Sequence, residues 1–189
     1  MLKKYYPYEY VDSVFAIDYE KLFALGYRGI IFDIDNTLVH HGDDSNEKVD
    51  KLFEAIHGTG FKTLLLSNNS AARIERFNRN IGALYIAEAD KPKTAGYVKA
   101  VEMLGLEKEK IVVIGDQLFT DISGANRSGM ASILVRFMQR EGETRIGKKR
   151  MLEKVILSIY KTNKAYQSRL GDITKKEGEG IAEEEKTVL

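Results

Sequence analysis

Asp33 and Asp35 stand one residue apart in GIIFDIDNTLVH, residues 29–40, just where the apolar run Ile30-Ile31-Phe32 ends. In an extended strand, positions i and i+2 lie on the same side, so both carboxylates can address one point. Held that close beside an apolar strand, the two like charges repel, and burial adds to the cost. Further polar residues close later apolar runs: Ser67 and Asn68 after KTLLL, and Asp116 after IVVIG. Isolated aspartates at strand ends are commonly turn formers or helix caps. Three strand ends converging on one edge of a sheet would instead form a site.

Strands and helices alternate along the chain. Strands are expected at 28–34, 61–67, 83–88, 110–115 and 131–137, five in all. Helices are expected at 45–57, 71–80, 93–104, 119–128 and roughly 147–168. Ser45 reads as the N-cap of the first of these helices and Gly58 as its stop. The alternation implies an α/β fold, a doubly wound parallel five-stranded Rossmann-like sheet with helices on both faces. Ligands of such sheets bind at the carboxyl ends of the strands, where these polar residues fall. Residues 1–169 read as one domain, and 170–189 as a polar, Gly- and Glu-rich disordered tail.

The ordered set of motifs resembles the haloacid-dehalogenase (HAD) superfamily of phosphohydrolases. Asp33-Ile34-Asp35-Asn36-Thr37 matches its DxDx[TV] motif, Ser67 its strand-closing Ser or Thr, DKPKT its lysine, and Gly115-Asp116 through Asp121 its GDxxxxD pair. The resemblance implies that Asp33 is a nucleophile forming an aspartyl phosphate and that Asp35 is general acid and then base. It implies a metal held by Asp33, the Asp35 main-chain carbonyl and Asp116, with Thr37 and Asp121 supporting them. Asp121 would hold a metal-bound water or brace Lys91. With oxygen ligands and no cysteine, Mg2+ is the expected ion. The Ser67 hydroxyl, the Asn68 N–H and Lys91 would bind phosphate. Lys91, which directly precedes the proline, is taken over Lys93, read as an exposed first-turn residue. His40 and His41 are placed in a flap rather than a zinc site, His57 at a helix C-terminus, and Arg73, Arg76 and Arg79 on a solvated helix face.

Neither interval between motifs, Asp33 to Ser67 or Ser67 to Lys91, has room for a cap domain, so an open site is expected. The segments EYVDSVFAIDYEKLFALGYRGIIFDIDNTLV and GDQLFTDISGANRSGM resemble the YqeG group of HAD subfamily IIIA. Relatives in that group include phosphatidylglycerophosphate phosphatases, so the resemblance implies a phosphorylated lipid substrate. Arg136 to Arg169 carries ten Lys/Arg against three Asp/Glu, a local +7, within a chain of net charge +1. Its Lys148, Lys149 and Arg150 would attract an anionic membrane surface, while the apolar stripe behind them covers a sheet face. A capless phosphatase of a soluble sugar phosphate, phosphoprotein or nucleic-acid end stays open as an alternative, as does a non-catalytic phosphate-binding scaffold. No nucleic-acid partner is expected. Cysteine and tryptophan are absent, which excludes disulfides and cysteine-based metal centres. Neither a signal peptide nor an apolar run of about 20 residues is present, so a cytoplasmic location is expected, and the basic segment adds an expectation of peripheral contact at the inner membrane surface.

Overall fold

In the computed structural model, which describes residues 2–138 and 147–175, the run Gly29–Phe32 is buried at every position. A strand covered on both faces needs no polar alternation, which is why it reads as continuous apolar sequence. The strands are β1 (Glu9–Val11), β2 (Gly29–Phe32), β3 (Lys62–Leu66), β4 (Leu84–Ile86), β5 (Ile111–Gly115) and β6 (Ala131–Val135). They form one sheet in the order β1-β6-β5-β2-β3-β4, and every adjacent pair is parallel.

Helices α1 (Tyr19–Ala24), α2 (Glu47–Thr59) and α3 (Ala71–Phe77) lie on one face. There Leu22, Phe53 and Phe77 pack with Ile30, Phe32 and Ile114 of the sheet. Helices α4 (Thr94–Leu104), α5 (Ser123–Arg127) and α6 (Lys148–Thr162) lie on the other. Tyr97 and Ala100 meet Ile31, Leu64 and Val113, while Ile156 and Tyr160 of α6 meet Leu134 and Leu118. Alternate residues of each strand thus feed opposite layers.

The structure departs from the sequence expectation in its edges. The sheet has six strands rather than five, because Glu9–Val11 pairs with β6 from Glu9 opposite Ile133 to Val11 opposite Val135. Three residues are too few to show a period. Asn46, not Ser45, caps α2, its side chain accepting the Val49 N–H at 3.1 Å. The helix passes through Gly58 and ends at Gly60, whose φ of 101° suits a residue without a Cβ. Residues 118–122 form a turn of π-helix leading into α5, and α6 ends at Thr162 instead of about 168. Leu170 and Ile173, placed by the sequence reading in a polar tail, are buried. The Asp18 N–H donates to the Ile173 carbonyl (2.8 Å) and the Lys175 N–H to that of Ala16 (2.9 Å). Residues 176–189 of the expected tail lie outside the described residues. Among the described residues no domain is inserted between β2 and α2 or between β3 and α4, and no helix is long and apolar enough to cross a membrane.

Candidate active site

From β2 the sheet grows outward through β3 and β4, then resumes on the other side with β5 and β6. The reversal falls between β2 and β5 and leaves a crevice at their carboxyl ends. Asp33 follows β2 and Asp116 follows β5, and the Asp33 N–H donates to the Ile114 carbonyl at 2.9 Å, locking the two strand ends together. The Thr37 hydroxyl, fully buried, stands 3.1 Å from Asp33 Oδ2 and 3.4 Å from Asp116 Oδ1.

Lys91 arrives from the loop between β4 and α4. Asn68 draws it in, its Oδ1 accepting the Lys91 N–H at 2.8 Å, while the Ser67 carbonyl accepts the Ala89 N–H at 3.0 Å. Lys91 Nζ donates to Asp33 Oδ1 (2.5 Å) and to Asp121 Oδ1 (2.7 Å). The other Asp121 oxygen accepts the Gln117 N–H at 3.1 Å, so this side chain is committed to bracing. Gly115 makes room for it: a Cβ there would lie 2.4 Å from Asp121 Cγ. Lys93 points away, 73% exposed and paired with Asp90.

The Asp35 carboxylate faces outward from this cluster and is surrounded by donors. It accepts the Gly42 N–H (3.0 Å) and the Asn69 side-chain amide (2.5 Å), with Arg73 Nη2 and His41 Nδ1 each 3.4 Å away. Burial opposes ionisation, but the Gly42 and Asn69 hydrogen bonds and the neighbouring His41 and Arg73 side chains together hold its pKa below the usual carboxylate range. Asp33 behaves in the opposite sense. Burial pushes its pKa up to about 6, with Lys91 opposing the rise and Asp121 adding to it. Asp116 is raised well above the carboxylate range by burial and by the nearby Asp33 charge. Lys91 is buried, yet Asp121 and Asp33 keep it cationic.

Carboxylate oxygens of Asp33, Asp116 and Asp121 lie within 4.8 Å of one another. Buried carboxylates with raised pKa values mark a site short of positive charge, and the donors are all oxygens. That set fits a hard divalent cation. Both Asp121 oxygens are engaged, by Lys91 and Gln117. Among the described residues Asp33 Oδ2 and Asp116 Oδ1 meet only the Thr37 hydroxyl and are the side-chain oxygens best suited to hold it.

The cleft above these groups has a volume of about 170 Å³ and is lined by Asp33, Asp35, His41, Ser67, Lys91 and Thr120 among others. The sequence-selected residues therefore meet at one place. Residues that sequence reasoning missed complete it. Arg73, expected on a solvated face with Arg76 and Arg79, is only 12% exposed in its side chain and reaches back to Asp35 and the Asp43 carbonyl. Arg150, read as lipid-facing with Lys148 and Lys149, instead bonds both the main-chain carbonyl (2.8 Å) and the side-chain Oδ2 of Asp116. Glu153, one turn on, accepts the N–H groups of Leu118 (2.9 Å) and Phe119 (3.3 Å) and pairs with Arg150. The i, i+3 spacing of Arg150 and Glu153 was visible, but a charged pair at that spacing is ordinary on an exposed helix. His40 and His41 lie in the loop after Asp35, and His57, in the last turn of α2, contacts Thr63 Oγ1 at 2.7 Å.

A HAD-hydrolase-like family model matches residues 88–148. Among solved structures, the cobalt-bound deoxy-D-mannose-octulosonate 8-phosphate phosphatase of Haemophilus influenzae shares the fold, with a TM-score of 0.50 and 16% identity over 75% of this chain and 92% of that one. An uncharacterized protein from Listeria monocytogenes matches with a TM-score of 0.51 and 18% identity, over 72% of this chain and 99% of that one. In sequence, the chain is 41% identical over 137 residues to the "Probable phosphatase YqeG" of Bacillus subtilis, covering 71% of this chain and 80% of that protein. The chain belongs to the HAD-like hydrolases and, within them, to the YqeG group of phosphatases. It is also 27% identical over 152 residues to the chloroplastic phosphatidylglycerophosphate phosphatase 1 of Chlamydomonas reinhardtii, covering 72% of this chain and 55% of that protein. An Arabidopsis thaliana phosphatase with the same substrate in its name is 27% identical over 154 residues, with 42% of its length covered. The chain thus spans about half the length of these two plant-type relatives.

Proposed function

We propose that this chain hydrolyses a phosphomonoester through an aspartyl-phosphate intermediate on Asp33, and that its substrate is the lipid phosphatidylglycerophosphate. The observation that carries the chemistry is the contact of Lys91 Nζ with Asp33 Oδ1 at 2.5 Å. A cation fixed beside the nucleophile, facing a cleft that also contains Ser67, is where a transferring phosphoryl group needs charge. An Asp33 oxygen attacks phosphorus, the bond to the ester oxygen breaks, and that oxygen takes a proton from Asp35. The resting Asp35 is held ionised by its donors. An arriving phosphate dianion, a like charge, raises its pKa so that it carries the proton it must give. In the second half-reaction, water attacks phosphorus, Asp35 receives the proton, and Asp33 is released with inorganic phosphate. Ser67 and the Asn68 N–H orient the phosphoryl oxygens, and Lys91 stays bonded to Asp121 throughout. A bound Mg2+ would supply charge neutralisation to the phosphate and to Asp33 and Asp116.

Two observations support the lipid assignment: the names of the more distant relatives, and an uncapped cleft that a bulky substrate can approach. The test is phosphate release in Mg2+ from micellar phosphatidylglycerophosphate against a panel of soluble sugar phosphates, phosphopeptides and nucleic-acid ends. Release from the lipid at a kcat/KM at least about tenfold above the best soluble ester, a difference of about 1.4 kcal/mol in barrier, is the expected result. Good turnover of a soluble ester with none of the lipid overturns the assignment and leaves the chemistry.

A further inference from the structure

The two faces of α6 do different things. Its inner face seats Ile156 and Tyr160 on the core and sends Arg150 and Glu153 to the loop that bears Asp116. Its outer face should be polar in an ordinary surface helix. Instead Met151 is 61% exposed, Leu152 53%, Val155 55% and Ile159 42%. These follow i, i+4 and i+8 spacing with Leu152 alongside, so they form one continuous stripe. Four of the nine large exposed hydrophobic side chains among the described residues lie on this one helix, a concentration that marks a contact surface rather than scattered exposure.

Charge decides what fits the stripe. Lys148, Lys149 and Lys154 are exposed around it, while Lys161, also exposed, turns its ammonium over the Tyr10 ring at 5.4 Å. Glu153 is the single acidic residue of α6, and it is buried beneath the helix. The outer surface of α6 therefore offers apolar side chains and cations with no exposed carboxylate of its own. We infer that this outer face of α6 lies in the headgroup region of an anionic bilayer, with Met151, Leu152, Val155 and Ile159 in the acyl boundary and the lysines at the lipid phosphates. A 15-residue helix is about 22 Å long, too short to span the hydrocarbon core, so it lies in the membrane plane. Long lysine stems let the ammonium groups reach the phosphate level while the stripe is buried. Because Arg150 in the first turn of α6 holds Asp116, the docked helix begins beside the catalytic cleft. The choice of a lipid partner rests on the substrate reading above, but the surface does not depend on turnover.

The test is co-sedimentation of the full chain with vesicles of equal parts phosphatidylcholine and phosphatidylglycerol, and with phosphatidylcholine alone. Wild type binds the anionic vesicles, binds the neutral ones at least about tenfold more weakly, and loses affinity as salt rises. The double variant Met151→Gln/Val155→Gln weakens binding by about tenfold or more. Lys148→Gln/Lys149→Gln weakens it by about fivefold per charge removed. Both variants retain wild-type hydrolysis of a small aryl phosphate, since none of these side chains reaches the cleft. Unchanged vesicle binding by Met151→Gln/Val155→Gln overturns the inference. So does sedimentation velocity showing a wild-type dimer that this variant converts to monomer, because a second copy would then cover the stripe. Vesicle binding without hydrolysis of lipid phosphate defeats the substrate reading alone. Hydrolysis of micellar lipid phosphate without vesicle binding defeats the docking surface alone.

Discussion

Asp33 and Asp35 stand one residue apart yet sit in opposite electrostatic surroundings. Asp33 is enclosed by carboxylates and burial, with its pKa pushed up to about 6. In the metal-free protein its protonated form is therefore favoured by folding. That contribution is whole below the ordinary carboxylate range and is lost as pH rises past about 6. Asp33→Asn should abolish turnover, by at least about a thousandfold, because an amide cannot attack phosphorus. In chelator, the variant should also gain stability relative to wild type between about pH 4 and about pH 7, by up to about 3 kcal/mol. Urea unfolding at both pH values reads this, and Mg2+ at the higher pH should restore wild type more than the variant. Asp35 reports through Arg73. With an aryl phosphate, whose leaving group needs little protonation, the low-pH limb of kcat follows Asp35 as base. Arg73→Gln removes a cation that lowers its pKa, so the limb should move to higher pH. A pH–rate profile with an unmoved limb would assign Arg73 to the loop around Asp43 and not to the acid–base group.

At the scale of elements, the loop after β5 is held from both sides. Lys91 grips it through Asp121, and α6 grips it through Arg150 and Glu153. Glu153 satisfies two main-chain N–H groups at the start of the π-helical turn, donors that have no partner within the turn itself. Glu153→Ala should strand those groups and leave Arg150 with one carboxylate fewer. A loss of about 3 kcal/mol or more in unfolding free energy is expected. A higher Mg2+ requirement should accompany it, because Asp116 is carried on the same loop. Glu153→Gln keeps an acceptor for the two N–H groups and should recover most of the Mg2+ dependence. Full recovery of stability by Glu153→Gln would show that the ion pair with Arg150 adds nothing to the fold.

Across the described residues, two segments far apart in the chain close the fold. β1 extends the sheet beyond β6, and the segment through Ile173 returns to pair across Ile17 and Thr174. Ile173 is 1% exposed within the larger core. Ile173→Ala should therefore cost about 2–5 kcal/mol, as truncation of a buried side chain does, although the residue lies in a polar stretch of sequence. A fall in melting temperature with unchanged KM for an aryl phosphate is the expected pattern, because this return lies away from the cleft residues.

The sequence by itself determined the parts governed by short-range pattern. Buried parallel strands must be continuous apolar runs, and helices over them must repeat every three to four residues, so β2, β3, β5, β6, α2 and α4 were legible. Polar residues closing three apolar runs also brought Asp33, Asp35, Ser67, Asn68 and Asp116 to one sheet edge, and the family resemblance added Lys91. The resemblance, which places the lysine directly before the proline, separated Lys91 from Lys93. What tertiary structure decided were contacts between residues far apart in the chain. Arg73 and Arg150 look like surface cations because their partners, Asp35 and Asp116, are 38 and 34 residues away. β1 and Ile173 carry no local period; β1 gains its structure by pairing with β6, and Ile173 by burial and by accepting the Asp18 N–H. The outward stripe of α6 follows the same logic. Helical spacing gave the helix its apolar residues, but which of them the sheet could cover depended on the width of the face it met.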